Sequence, residues 1–195
     1  MGRLSVIVPA LNEATVVRAT LTPLQPLRER GHEVILVDGG SSDGTPELAA
    51  SLARVVRAPR GRARQMNAGA KASRGTLLLF LHADTSLGAG AAETLLELAG
   101  SEGPLWGRFD VLLSGAHPLL RVVERMMNLR SRLTGIATGD QALFVSRRLF
   151  FEVGGFPEQP LMEDVALSAL LRRRCRPLCL RQRVITSSRR WERDG

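Results

Sequence analysis

An imidazole and a carboxylate stand one residue apart in His82-Ala83-Asp84, directly after the unbroken apolar run Leu77 to Leu81. A similar arrangement occurs twice upstream. The mostly apolar Leu4 to Val8 leads into Pro9-Ala10-Leu11-Asn12-Glu13, and Val34 to Val37 leads into Asp38-Gly39-Gly40. A continuous apolar run bounded by turn residues fits a strand buried on both faces. In an open parallel sheet, ligands bind beyond the carboxyl ends of such strands. Three successive strand ends therefore bring polar or acidic groups to one rim. Any one of them alone also fits a turn or a cap. A further acidic pair, Glu163-Asp164, opens an amphipathic run. It can accept a proton, or it can simply favour the dipole of the helix it starts.

Charge points to an anionic partner. The formal net charge is +8, carried by 26 Arg and a single Lys. Guanidinium groups match phosphate oxygens in pairs. A nucleotide diphosphate, a lipid phosphate or a nucleic acid would suit them; a solvated basic surface is the alternative. The stretch LLRRRCRPLCLRQR has no interleaved aromatic residues, which argues against nucleic acid.

These groups need elements to hold them. Strands are expected at 4–8, 33–37, 54–58 and 76–81, alternating with helices. One helix begins near Glu13 and should break or end at Pro23 and Pro26. Another begins at Thr45-Pro46, a cap followed by proline, and a third spans the run GRARQMNAGAKAS. Such alternation predicts an α/β fold with a largely parallel sheet. The second half is less regular. It offers strands at 105–113 and 141–146, an amphipathic helix over 118–133, a short helix in RRLFFEVGGF and a helix over 163–174. The change near residue 86 predicts one domain over 1–195 with two functional halves, 1–85 and 86–195, fused on one sheet.

Several classes are excluded. No G-x-G-x-x-G follows a strand, and Thr45-Pro46 replaces the Lys-Ser/Thr of a P-loop. Cys175 and Cys179, the only cysteines, cannot complete a tetrahedral zinc site, and two reduced thiols are expected. No apolar run reaches the length of a membrane span. The N-terminal apolar stretch halts at Asn12-Glu13, too short for a secretory signal, so a cytoplasmic location is expected.

The motifs SVIVPALNE, VDGGSSDGT, HADT and MEDVALSALL occur in the order and spacing of family 2 glycosyltransferases of the GT-A fold. The chain most resembles short single-domain bacterial members with a His-Ala-Asp motif and an Arg-Arg-Trp tail. The resemblance implies a nucleotide-diphosphate sugar donor, a divalent metal (manganese or magnesium) and an inverting transfer to an acceptor it does not name. It places Pro9, Ala10, Asn12, Glu13, Asp38, Gly39, Arg64, Asn67 and Ala83 on the nucleotide side. Of the arginines at 60, 62 and 64, Arg64 is slightly favoured for base or phosphate. Asp84 and His82 become metal-side residues. Asp164 becomes the general base, with Glu163 orienting it or binding the acceptor, and Gly139-Asp140-Gln141 an acceptor-side loop. Arg189, Arg190 and Trp191 would cover the diphosphate or acceptor.

The physics of these residues agrees with that implication. A departing sugar diphosphate gains negative charge and needs a cation and fixed donors. Asp84 offers oxygen ligands of the kind magnesium and manganese favour. Three departures from the family pattern stand out. His82 replaces an Asp, so the imidazole could ligate manganese, bond the phosphate or orient Asp84. Gly39 replaces a common second Asp. Ser187 replaces the Gln of Q-x-x-R-W, which argues against processive synthesis. Members usually continue past the tail motif, which implies a chain truncated after Gly195.

Nine arginines between Arg172 and Arg193, expected on a basic helix and tail, suggest peripheral contact with the inner face of a membrane and a lipid-linked acceptor. Two rivals remain at this point. A nucleotidyltransferase on a similar sheet would want a Gly-rich, basic loop after strand one, which PALNEATVV lacks. A non-catalytic nucleotide-sugar-binding protein would fit the loss of family acids.

Overall fold

The computed structural model describes residues 2–188. Its strands are β1 (Leu4–Ala10), β2 (Glu33–Asp38), β3 (Arg54–Arg57), β4 (Leu77–Phe80), β5 (Thr85–Leu87), β6 (Trp106–Leu113), β7 (Phe144–Ser146) and β8 (Leu178–Thr186). Its helices are α1 (Val17–Leu21), α2 (Gln25–Glu29), α3 (Thr45–Ala49), α4 (Arg62–Ala72), α5 (Ala91–Ala99), α6 (Pro118–Thr134), α7 (Arg147–Glu152) and α8 (Glu163–Arg172). All eight strands form one sheet in the order β3-β2-β1-β4-β7-β6-β8-β5. β1 to β4 pair in parallel, as the alternating pattern requires. β7 then runs antiparallel to both β4 and β6, β8 is parallel to β6, and β5 antiparallel to β8.

Strands β1, β2 and β4 are buried on both faces, which explains their unbroken apolar runs. Val6, Val8, Leu36 and Leu79 pack on one side with residues of α1, α3 and α5, such as Val17, Ala49 and Leu95. Ile7, Ile35, Val37 and Leu78 pack on the other with Met66 of α4, Leu149 of α7 and Leu167 of α8. Side chains alternate across a strand, so neighbours in β1 serve opposite layers. Gly69 lets α4 lie close to the sheet, because a Cβ there would come within 2.4 Å of Ile7 Cγ2.

Two local expectations change. Pro23 and Pro26 do not break a single helix. Pro23 lies in a 3-10 turn at 22–24 after α1, and Pro26 in the first turn of α2, where a missing N–H costs nothing. The basic stretch after α8 is not a continuing helix: residues 178–186 form β8, inside the sheet between β6 and β5. The cysteines are free thiols, as expected. Among the described residues, no helix is long and apolar enough to cross a membrane.

Candidate active site

A cavity of about 320 Å³ opens at the carboxyl edge of β1 and β4. That size falls within the roughly 300–1,000 Å³ of small-molecule sites. Its walls come from four places. Pro9 and Ala10 end β1, and Leu11 and Glu13 follow it; Arg60 and Gly61 lead into α4, which Arg62 and Gln65 open; His82, Ala83 and Asp84 follow β4; Asp140, Thr186 and Ser187 close the far side.

The turn carrying Asp84 is fixed on several sides. The Thr85 amide donates to the His82 carbonyl at 3.1 Å, and the Ser187 amide donates to the Asp84 carbonyl at 3.2 Å. The buried Thr20 hydroxyl of α1 donates to the Ala83 carbonyl. The Thr85 and Thr186 hydroxyls meet at 2.7 Å. The half-buried Asp84 carboxylate is thus presented by a turn tied to α1 and to the end of β8.

The nucleotide-side expectations divide. Pro9, Ala10, Glu13 and Ala83 line the cavity. Asn12 and Asp38 instead shape the neighbouring loop. Asn12 adopts a left-handed backbone at φ 55°, its amide donates to Ser41 Oγ, and its Oδ1 accepts from the Ser42 amide. Asp38 is 3% exposed and accepts from the amides of Gly40 and Ser41, both at 3.1 Å. Gly39 makes room for Gln65, whose side chain would lie 2.9 Å from a Cβ at that position.

Arg64 points elsewhere. Its Nε donates to Glu158 at 2.9 Å and it borders a separate groove, while Arg60 and Arg62 line the cavity. Of the three arginines, Arg60 and Arg62 border this cavity and Arg64 does not. Asn67 is also outside the cavity: its amide clamps Phe156, donating to the carbonyl at 2.8 Å and accepting from the N–H at 2.9 Å. Arg189, Arg190 and Trp191 lie outside the described residues.

Sequence reading missed Gln65. Buried at 4% exposure, it donates to the Ala10 carbonyl at 2.8 Å and the Val37 carbonyl at 2.9 Å. It thereby ties the ends of β1 and β2 to α4. The usable signal was its spacing: Arg62 and Gln65 lie three apart, on one helix face.

The second acidic pair is adjacent to the cavity without lining it. Asp164 Oδ2 accepts the Gly139 amide at 2.5 Å, and its Oδ1 accepts its neighbour Val165 at 2.7 Å. Glu163 is buried, with Oε1 3.5 Å from Arg62 Nη1. His82 connects the two regions. Its Nδ1 faces Asp140 Oδ1 at 3.4 Å, and a Cβ on Gly139 would come within 2.3 Å of its Nε2. Both ring nitrogens therefore lie close to the loop at 139–140, while His82 also borders the cavity. His82, Gly139, Glu163 and Asp164 also border one narrow gap, closed behind by Phe80 and Phe156.

A divalent cation of the kind the resemblance implies would find the Asp84 carboxylate on a fixed turn, with Glu13 and Asp140 also bordering the cavity. Among the described residues no three His, Cys, Asp or Glu converge into a metal cage. That donor set fits magnesium or manganese taking most of its ligands from phosphate oxygens and water.

The chain is similar to known proteins in sequence and in fold. The profile described as glycosyl transferase family 2 matches residues 5–147. PGL/p-HBAD biosynthesis glycosyltransferases of Mycobacterium bovis and Mycobacterium tuberculosis are 37% identical over 107 residues. That match covers 51% of this chain and 41% of theirs, so it spans less than half of these curated relatives. The S. aureus TarS fragment 1–349 in complex with UDP superposes with a TM-score of 0.78 at 18% identity, covering 95% of this chain and 60% of that one. Glucosyl-3-phosphoglycerate synthase from Mycobacterium tuberculosis, with Mn2+, UDP and glucosyl-3-phosphoglycerate, gives 0.69 at 19%, covering 93% and 70%. The mannosyltransferase PcManGT from Pyrobaculum calidifontis, with GDP-Man and Mn2+, gives 0.67 at 20%, covering 94% and 56%. At these identities the likeness establishes the fold, which is the GT-A arrangement. With that fold, and with the profile running from β1 into the start of α7, the chain belongs to glycosyl transferase family 2.

Proposed function

We propose that this chain transfers a sugar from a nucleotide-diphosphate sugar to an acceptor hydroxyl, with inversion at the anomeric carbon. The observation that carries the reading is the cavity itself. It gathers the Asp84 carboxylate and the cations of Arg60 and Arg62 at strand ends, while Asp164 stands beyond His82 on the acceptor side. The bound ligands of the solved neighbours support it: UDP in TarS, GDP-Man with Mn2+ in PcManGT.

In this reading Arg60 and Arg62 hold the diphosphate, and Asp84 would hold a divalent cation. That cation, when bound, supplies neutralisation of the charge gathering on the leaving diphosphate. Asp164 takes the proton of the attacking acceptor hydroxyl. The acceptor oxygen then bonds to the anomeric carbon as the carbon–oxygen bond to the diphosphate breaks, and a nucleoside diphosphate leaves. The Gly139 amide holds the Asp164 carboxylate in place, and Glu163 holds Arg62. His82, enclosed by the loop at 139–140, positions that loop against the donor cavity rather than binding metal. Donor recognition falls mainly to residues 1–85, and acceptor chemistry to 86–195. Thr186 and Ser187 cross over to wall the donor cavity.

The test is a panel of uridine and guanosine diphosphate sugars, each with manganese, magnesium or chelator. Thermal stabilisation and release of nucleoside diphosphate are measured. At least one sugar nucleotide should raise the melting temperature, more with metal than without. A panel that neither stabilises the protein nor is turned over contradicts the reading.

A further inference from the structure

The long helix α6 leaves an apolar face exposed, which is unusual for a helix of a globular domain. Such helices normally bury their apolar stripe. Here Leu120, Glu124 and Ser131 are buried and Val123 and Met127 pack with Leu120 on Val111 and Leu113, while Leu119, Val122, Met126, Leu129 and Leu133 are between 51% and 77% exposed. The inward side meets a polar layer. Arg108 of β6, fully buried, pairs with Asp110 and donates to Ser131 Oγ and the Asn128 carbonyl. The Leu113 amide donates to Glu124. The sheet therefore takes a small apolar cluster and this polar layer from α6, and a second apolar face, Leu119 to Leu133, is left outside.

The five exposed residues alternate spacings of three and four, so they form one narrow seam along the helix. Arginines stand on both shoulders, Arg125 and Arg132 on one and Arg130 on the other. The only acid of α6 is Glu124, which is buried. Beside the seam, Arg121, Arg125, Arg132 and Arg183 border a groove that Leu129 shares. The two acids in that groove are engaged: Asp110 by Arg108 and Arg132, Glu124 by Arg121. Arg125 and Arg183 make no side-chain hydrogen bond or ion pair to the described residues. An apolar seam edged by unpaired cations matches an anionic lipid surface, with tails meeting the seam and headgroup phosphates meeting the guanidiniums. A second copy of the helix fits less well. Self-pairing would bring arginine shoulders together with no acid to meet them.

We propose that the outer face of α6, with the groove of Arg125 and Arg183, docks this protein on an anionic bilayer surface. Of the described arginines in the Arg172–Arg193 stretch, this surface uses Arg183. There Arg172 is bonded to the Thr134 carbonyl and Arg174 is paired with Glu152, while Arg181 and Arg183 lie on β8. The proposal does not rest on glycosyl transfer.

The experiment is flotation of the whole chain, without nucleotide, on vesicles of phosphatidylcholine with phosphatidylglycerol and of phosphatidylcholine alone. Binding is expected to the anionic vesicles at low salt and should fall as salt rises. Met126→Glu with Leu133→Glu should lower partition by roughly tenfold or more, since both side chains leave the lipid. Arg125→Gln with Arg183→Gln should lower it by roughly tenfold on anionic vesicles, and little on neutral ones. All four positions are exposed, so the melting temperature should not move. Should the glutamates disturb the fold, Met126→Ser with Leu133→Ser gives the same reading. A parent that ignores anionic vesicles overturns the proposal, as do glutamate variants that bind like the parent. So does a parent dimer in sedimentation that Met126→Glu with Leu133→Glu dissociates while vesicle binding stays absent.

Discussion

Arg62 Nη1 lies 3.5 Å from Glu163 Oε1, joining residues 101 apart in the chain. The pair ties the first turn of α4, on the donor cavity, to the first turn of α8, beside Asp164. Glu163 is buried, while the Arg62 side chain is 38% exposed. Removing the arginine would strand a buried carboxylate. Arg62→Met should therefore destabilise by about 1–3 kcal/mol in urea unfolding, and donor affinity should fall with it. Glu163→Gln, which keeps a hydrogen-bonding side chain, should cost less. Arg62→Met with an unchanged midpoint would remove the pair from this account.

Asp38 separates a structural from a direct role at the donor loop. Its carboxylate accepts two loop amides and does not line the cavity. Asp38→Ala should lower stability by about 1–2 kcal/mol and weaken donor binding through the displaced loop. Asp38→Asn keeps an acceptor oxygen and should retain most of both. If both variants lose donor affinity at full stability, Asp38 contacts the nucleotide directly.

Acid should loosen the β1–β2 seam. Burial pushes the Glu33 carboxyl up, but the Ser5 hydroxyl, the Arg74 amide and the Arg3 charge together outweigh it and hold it below its ordinary value of 4.5. The Ser5 bond is 2.5 Å. A depressed carboxyl contributes stability that is complete above its unfolded value and lost as pH falls through the folded one. Stability should therefore drop below about pH 4.5. Glu33→Gln should flatten that limb in melts across the acid range. An unchanged acid limb in Glu33→Gln would exclude the seam as its source.

What could be read in the sequence followed from burial. β1, β2 and β4 are covered on both faces, so their apolar runs and polar ends stand out at Glu13, Asp38 and Asp84. The far edge was opaque for the same reason. β8 begins at LCLRQR, where Leu178, Arg181 and Arg183 are exposed, and short β5 pairs only with it. Neither has a run to read. In the site, residue types marked the rim but not side-chain direction. Arg64 lies two residues from Arg62, yet its side chain reaches Glu158 and leaves the cavity to Arg60 and Arg62. α6 shows the limit of periodicity: its apolar doublets mark a helix, but not that Leu120, Val123 and Met127 would meet the sheet while Leu119, Val122 and Met126 stay outside.

The central claim is that Asp164 takes the acceptor proton while the cavity across His82 holds the donor. Asp164→Asn keeps the side chain's shape and removes its basicity. The decisive measurement pairs donor titration with turnover on this variant and its parent. Turnover should fall by roughly 10²–10⁴, the usual value of a general base, while donor affinity stays within about twofold of the parent. An Asp164→Asn enzyme that turns over like the parent, or loses donor binding in proportion to rate, would contradict the account.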